Sequence, residues 1–150
     1  MNKLKTKLLV VFSVALIAFA CQGVSSQMNS ESWTSQQLIQ PVDLAKALTD
    51  SKSPQPIVFS IGPYAIIKNS IEIGPTMEKK NLEKLKLQLS KLPKDANIVI
   101  YCGCCPFGNC PNIRPAFRML NELGFKNHKL LNLSHNVKVD WIDFDYPTNN

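Results

Sequence analysis

The stretch Ile98-Val99-Ile100-Tyr101-Cys102-Gly103-Cys104-Cys105-Pro106, leading through Cys110-Pro111-Asn112 into Ile113–Leu123, decides the fold. The apolar run over 97–101 has the signature of a buried parallel strand. Beyond the cysteines, Ile113, Ala116, Phe117, Leu120 and Leu123 recur at helical spacing and stop at Gly124, a natural residue to follow a helix. Asn112 reads as the N-cap, and Pro115 falls in the first turn, where a missing donor costs little. Strand, turn and helix in this order predict a site. In an open α/β sheet, reactive groups collect outside the carboxyl ends of strands, where the next helix offers free N–H groups and a positive dipole end. Four cysteines within nine residues occupy that turn. The thiolate is both the nucleophile and the metal ligand, and such a location favours it.

Working outward, Pro41 opens a predicted helix over 41–50, with Val42, Leu44, Ala45 and Leu48 on one face. Residues 56–61 repeat the buried-strand signature and end at Gly62-Pro63. Leu82, Leu85, Leu89 and Leu92 set a surface helix over 78–92. On the other side, 129–133 reads as a strand, 134–139 as a loop and 141–146 as a terminal segment. Strands alternating with helices predict an α/β fold, a mostly parallel central sheet covered by helices on both faces.

The N-terminus carries Lys3, Lys5 and Lys7, then an uncharged run from Leu8 to Ala20 ending Ala18-Phe19-Ala20. This predicts a signal peptide over 1–20, its apolar run too short to span a bilayer. Cys21 would be the first mature residue, the position of a lipid-modified cysteine, although an ordinary signal-peptidase site fits the same residues. Residues 22–32, rich in Ser, Gln and Asn, extend the predicted flexible linker over 21–32 and leave a single domain over 33–150. The expected location is outside the cytoplasm, periplasmic or lipid-anchored, with membrane contact only through Cys21. The formal charge of +6 falls to +3 without the three signal lysines, and the remaining lysines are scattered, which argues against nucleic-acid binding. No recognisable heptad or long apolar edge suggests an oligomer, so a monomer is expected.

Ile98-Val99-Ile100-Tyr101-Cys102, Leu120-Asn121-Glu122-Leu123-Gly124-Phe125, Trp141 and Tyr146-Pro147 together resemble a rhodanese-like domain. Ile57-Val58-Phe59 is similar to the family's first core strand, and Asn69-Ser70-Ile71 with Gly74-Pro75 to its His-Ile-Pro-Gly stretch. The segments Tyr101–Pro106 and Cys110–Phe117 resemble an exported bacterial subgroup with a cysteine-rich loop. The resemblance covers about Trp33 to Pro147. It implies a three-layer fold and a persulfide on Cys102, held by loop N–H groups. The chain departs from the family in three places. Arg114 lies twelve positions after Cys102 instead of close behind it, Ser60-Ile61-Gly62 replaces an Asp-x-Arg, and Asn69 replaces a histidine.

Candidate catalytic residues are therefore Cys102, Cys104, Cys105, Cys110 and Arg114. Cys102 carries sulfur in this reading, and Arg114 is a candidate to hold an anionic donor. Cys104, Cys105 and Cys110 have three alternatives: a disulfide from Cys110 to Cys104 or Cys105, a resolving role, or a Cu(I) or Zn²⁺ site. The spacing lacks the paired Cys-x-x-Cys knuckles of a structural zinc module. His135 could supply a proton from the same sheet edge, His128 has no assigned role, and Phe117, Phe125 and Trp141 read as core. The favoured function is a sulfurtransferase or thiol-handling protein that needs a small sulfur donor, an acceptor thiol and no cofactor. A thiol-based metal module and a catalytically inactive rhodanese-fold domain are the competing readings.

Overall fold

The computed structural model describes residues 33–149. The expected signal peptide, the linker and Cys21 lie outside the described residues. The elements are β1 (Leu38–Ile39), α1 (Pro41–Thr49), β2 (Ile57–Ser60), β3 (Ile71–Glu72), α2 (Lys79–Leu89), β4 (Ile98–Tyr101), α3 (Ile113–Glu122), β5 (His128–Leu131) and α4 (Val137–Asp140). Short 3₁₀ turns occupy Ser35–Gln37, Phe107–Asn109 and Ile142–Phe144. The five strands form one sheet in the order β1-β5-β4-β2-β3, every pair parallel.

β4 lies in the middle, and all four of its residues are buried, as an apolar run without polar alternation requires. Side chains alternate across a strand, so β4 feeds two cores. Ile98, Ile100 and, beyond the strand, Cys102 join Leu85 and Leu89 of α2 and Ile113, Ala116, Phe117 and Leu120 of α3. Val99 and Tyr101 join Leu44, Ala45 and Leu48 of α1 together with Trp141. Helices thus cover both faces, giving the three layers expected. Cys102 points to the α2/α3 side because it is two residues from Ile100.

Phe117, Phe125 and Trp141 are buried as expected. The Trp141 indole donates to the Pro147 carbonyl at 3.0 Å. The Tyr101 hydroxyl accepts from the Ile67 N–H at 3.2 Å and lies 3.1 Å from Ser70 Oγ, so both large polar aromatics are satisfied inside the core.

Several local expectations are corrected. Val42 is 41% exposed, and the buried face of α1 consists of Leu44, Ala45 and Leu48. The segment 134–139 is not all loop: α4 starts at Val137, and Asn136 Oδ1 caps it by accepting from the Val139 N–H at 3.0 Å. Two-residue edge strands β1 and β3 flank the sheet where no strand was expected. Asn112 is helical in backbone and does not cap α3, since its side chain is engaged elsewhere.

Candidate functional site

Cys102 follows β4 directly, at the carboxyl edge of the sheet, and is 1% exposed. Its sulfur fills space left by Gly62 just beyond β2: a Cβ at position 62 would lie 2.9 Å from Cys102 Sγ. This explains the glycine where the resemblance led one to expect a charged residue. Gly62→Ala is expected to push the sulfur out of its place and destabilise the fold by about 1–3 kcal/mol, the usual cost of overpacking. Urea unfolding checks the loss, and an unchanged midpoint would disprove the close fit.

The loop after Cys102 folds back on itself. The Phe107 N–H donates to the Leu133 carbonyl at 2.9 Å, and the Cys110 N–H to the Phe107 carbonyl at 3.3 Å. Phe107 packs on Trp33 with ring centroids 6.0 Å apart. These ties return the buried Cys110 to Cys102, although eight positions separate them. The sulfurs of Cys102, Cys104 and Cys110 all lie within 4.8 Å of one another. Cys104 Sγ is 3.4 Å from Cys102 Sγ and 3.3 Å from Cys105 Sγ. All four loop cysteines are free thiols, Cys104 exposed and Cys105 half-buried.

Asn112 is the residue of the candidate site whose part the sequence does not reveal. Its carbonyl accepts from the buried Thr76 hydroxyl at 2.5 Å, and its Oδ1 accepts from the Met77 N–H at 3.2 Å. With the oxygen occupied in this way, the amide turns its Nδ2 to Cys102 Sγ, donating at 3.4 Å. The side chain therefore orients a donor at the sulfur immediately before α3 begins.

The Cys102 thiol is accordingly lowered from 9.0 to about 5. The Cys110 thiol hydrogen bond is the largest cause; burial opposes it, and Asn112, the Cys104 N–H and the Cys104 thiol add to the lowering. Its neighbours move the other way. Burial and the adjoining Cys105 and Cys102 sulfurs push Cys104 up to about 12. Donation to Cys102, followed by burial, holds Cys110 far above the ordinary thiol range. One thiolate surrounded by proton-bearing thiols is the electrostatic arrangement of an activated sulfur nucleophile.

Arg114, in the first turn of α3, donates from Nη2 to the Gly108 carbonyl at 3.0 Å, with its guanidinium 5.4 Å from the Trp33 ring. It thereby fastens the cysteine loop. His135 lies beyond β5, its ring 3.1 Å from Asp140 Oδ1 and 3.1 Å from Ser134 Oγ. His128 starts β5, at the opposite end of the strand, and is buried.

No family model and no curated protein matches this sequence. Solved structures do match: wild-type EanB (TM-score 0.54), a single-cysteine variant of EanB in complex with hercynine (0.55), and a double-cysteine variant with hercynine (0.56). Each is 14% identical, and the alignment covers 76% of this chain but only 27% of the EanB chain. The likeness establishes the α/β fold alone.

Proposed function

We propose that this chain is an exported, rhodanese-like sulfur-handling protein in which Cys102 carries sulfane sulfur as a persulfide. One observation carries the reading: a buried thiol at the end of the central strand, lowered to about 5 by donors converging from Cys110, Asn112 and Cys104. The same donors suit a persulfide anion, whose charge must be met in a site shielded from water. In the first step the Cys102 thiolate attacks the sulfane sulfur of a thiosulfate or thiosulfonate. The new S–S bond forms as sulfite or sulfinate departs with the electron pair of the broken bond. The sulfur then passes on to a thiol. Export follows from the N-terminal signal pattern, and any membrane contact from a lipid on Cys21.

The chain, reduced and freed of small thiols, is expected to release about one equivalent of sulfite from thiosulfate, or of sulfinate from an aryl thiosulfonate, consistent with a single thiolate nucleophile. Cys102→Ala should release none. Equal release from both chains would refute the assignment.

A second reading rests on the mutual approach of three sulfurs within 4.8 Å, a soft donor set with the right chemistry for Cu(I). Native mass spectrometry of the reduced chain with Cu(I) tests it: one bound ion per chain, lost in Cys110→Ala, supports the site. An unchanged mass rejects it.

A further inference from the structure

Cys102 is 1% exposed, yet its sulfur touches that of the exposed Cys104 at 3.4 Å. Building on the reading of Cys102 as the persulfide carrier, we propose that Cys104 is the resolving thiol that frees the bound sulfur as hydrosulfide. The partner that restores the site is then an external dithiol.

Geometry decides which sulfur Cys104 attacks. Attack on the outer sulfur needs that atom in line between the two Sγ atoms, a separation of at least ~4 Å from two S–S bonds of about 2.05 Å. The observed 3.4 Å, in the site without the extra sulfur, falls short of it. The same distance falls within the ~3–3.5 Å range of a near-attack contact on Cys102 Sγ itself, the inner sulfur. Cys104 therefore bonds to Cys102 while the outer sulfur leaves. As the Cys104 sulfur attacks, its proton passes to the outer sulfur, so the persulfide anion and the Cys104 thiol become a Cys102–Cys104 disulfide and one hydrosulfide ion. The outer sulfur gains two electrons, and the two cysteine sulfurs lose them.

The other thiols do not suit the step. Cys110 is fully buried and already donates to Cys102, whereas the sulfur contact of Cys105 is to Cys104 at 3.3 Å. Resetting the site requires two electrons from outside. Of the two disulfide sulfurs only Cys104 is open to solvent, so an external dithiol attacks there. Cys102 leaves as the thiolate its neighbours stabilise, and the partner's second thiol completes the exchange. The chain thus stands between a reaction that generates sulfane sulfur and one that regenerates dithiols.

A single turnover without reductant tests this, using thiosulfate and an aryl thiosulfonate, with sulfite or sulfinate, sulfide and intact mass followed together. The unaltered chain should release one equivalent of hydrosulfide and lose two hydrogens, mapping to Cys102 and Cys104. Cys104→Ser should still release sulfite or sulfinate but keep the added sulfur on Cys102, removable by cyanide, with sulfide release down at least about tenfold. Cys105→Ser should still release sulfide and lose two hydrogens at Cys102 and Cys104, since the bond formed does not include Cys105. The proposal is overturned if Cys104→Ser releases sulfide at the unaltered rate, if Cys105→Ser abolishes release, or if the extra sulfur is found on Cys104. Sulfite or sulfinate without sulfide from the unaltered chain sinks the resolving step alone. Neither product from either donor sinks the persulfide reading and this step with it.

Discussion

Replacing Cys110 by Ala is expected to raise the pH at which Cys102 becomes a thiolate by about one to two units. A hydrogen bond to a charged group contributes about 1.5–3 kcal/mol, and 1.36 kcal/mol is one unit. The thiol of Cys110 is the largest cause of the Cys102 shift, and it sits at a fully buried position. The rate of Cys102 alkylation by iodoacetamide, followed against pH and mapped by peptide mass, should have its midpoint near 5 in the unaltered chain. In Cys110→Ala the midpoint should move up, and alkylation near pH 6 should slow by up to about tenfold as the thiolate fraction falls. Cys110→Ser keeps an O–H donor at the same place and should restore most of the reactivity. A purely structural cysteine would behave differently: both variants would lower stability, and neither would move the midpoint. An unmoved midpoint in Cys110→Ala would therefore remove Cys110 from the site.

How much of this was legible in the sequence depends on the range of the interaction concerned. β2, β4 and β5 and helices α1, α2 and α3 follow from local patterns of burial, and the structure places them within a few residues of the expected bounds. β1 and β3 are two residues long and owe their strand character to pairing with β5 and β2, which no local pattern records. Asn112 shows the limit most clearly. Asn before an apolar helical stripe is a good cap by local rules, yet Thr76 and Met77, distant in sequence, hold it for a different task. The cysteine cluster was visible as composition. Its division into one thiolate, one buried donor and one exposed neighbour was not, because it depends on how the 3₁₀ turn Phe107–Asn109 brings Cys110 back to β4. Gly62 likewise becomes intelligible only once Cys102 Sγ is seen to occupy the space of its missing side chain.

The same division of protons makes stability depend on pH in a distinctive way: it should rise from about pH 5 to about pH 9 and fall above that. Cys102 ionises near 5 in the folded chain and near 9.0 when unfolded, so between these values the unfolded chain binds the extra proton. Stability rises with pH wherever the unfolded state binds more protons, here with a slope of at most one proton, about 1.4 kcal/mol per pH unit. The stabilisation is fully present above the unfolded value and is lost as pH falls through the folded one. Above pH 9 the sign reverses. Cys104 and Cys110 keep protons that the unfolded chain gives up, Cys110 with the greater effect because it is buried and Cys104 is open to solvent. His128, lowered chiefly by burial, adds to the rise only below about 6.5, the ordinary imidazole value, so the window from 6.5 to 9 belongs to Cys102. Urea midpoints of the reduced chain measured across pH 5–10 should show this maximum, and Cys102→Ser, which cannot ionise there, should flatten the curve between 6.5 and 9. A flat curve in the unaltered chain over that window would mean that Cys102 keeps its proton in the folded state, and the sulfur would then lack the charge on which its nucleophilic role depends.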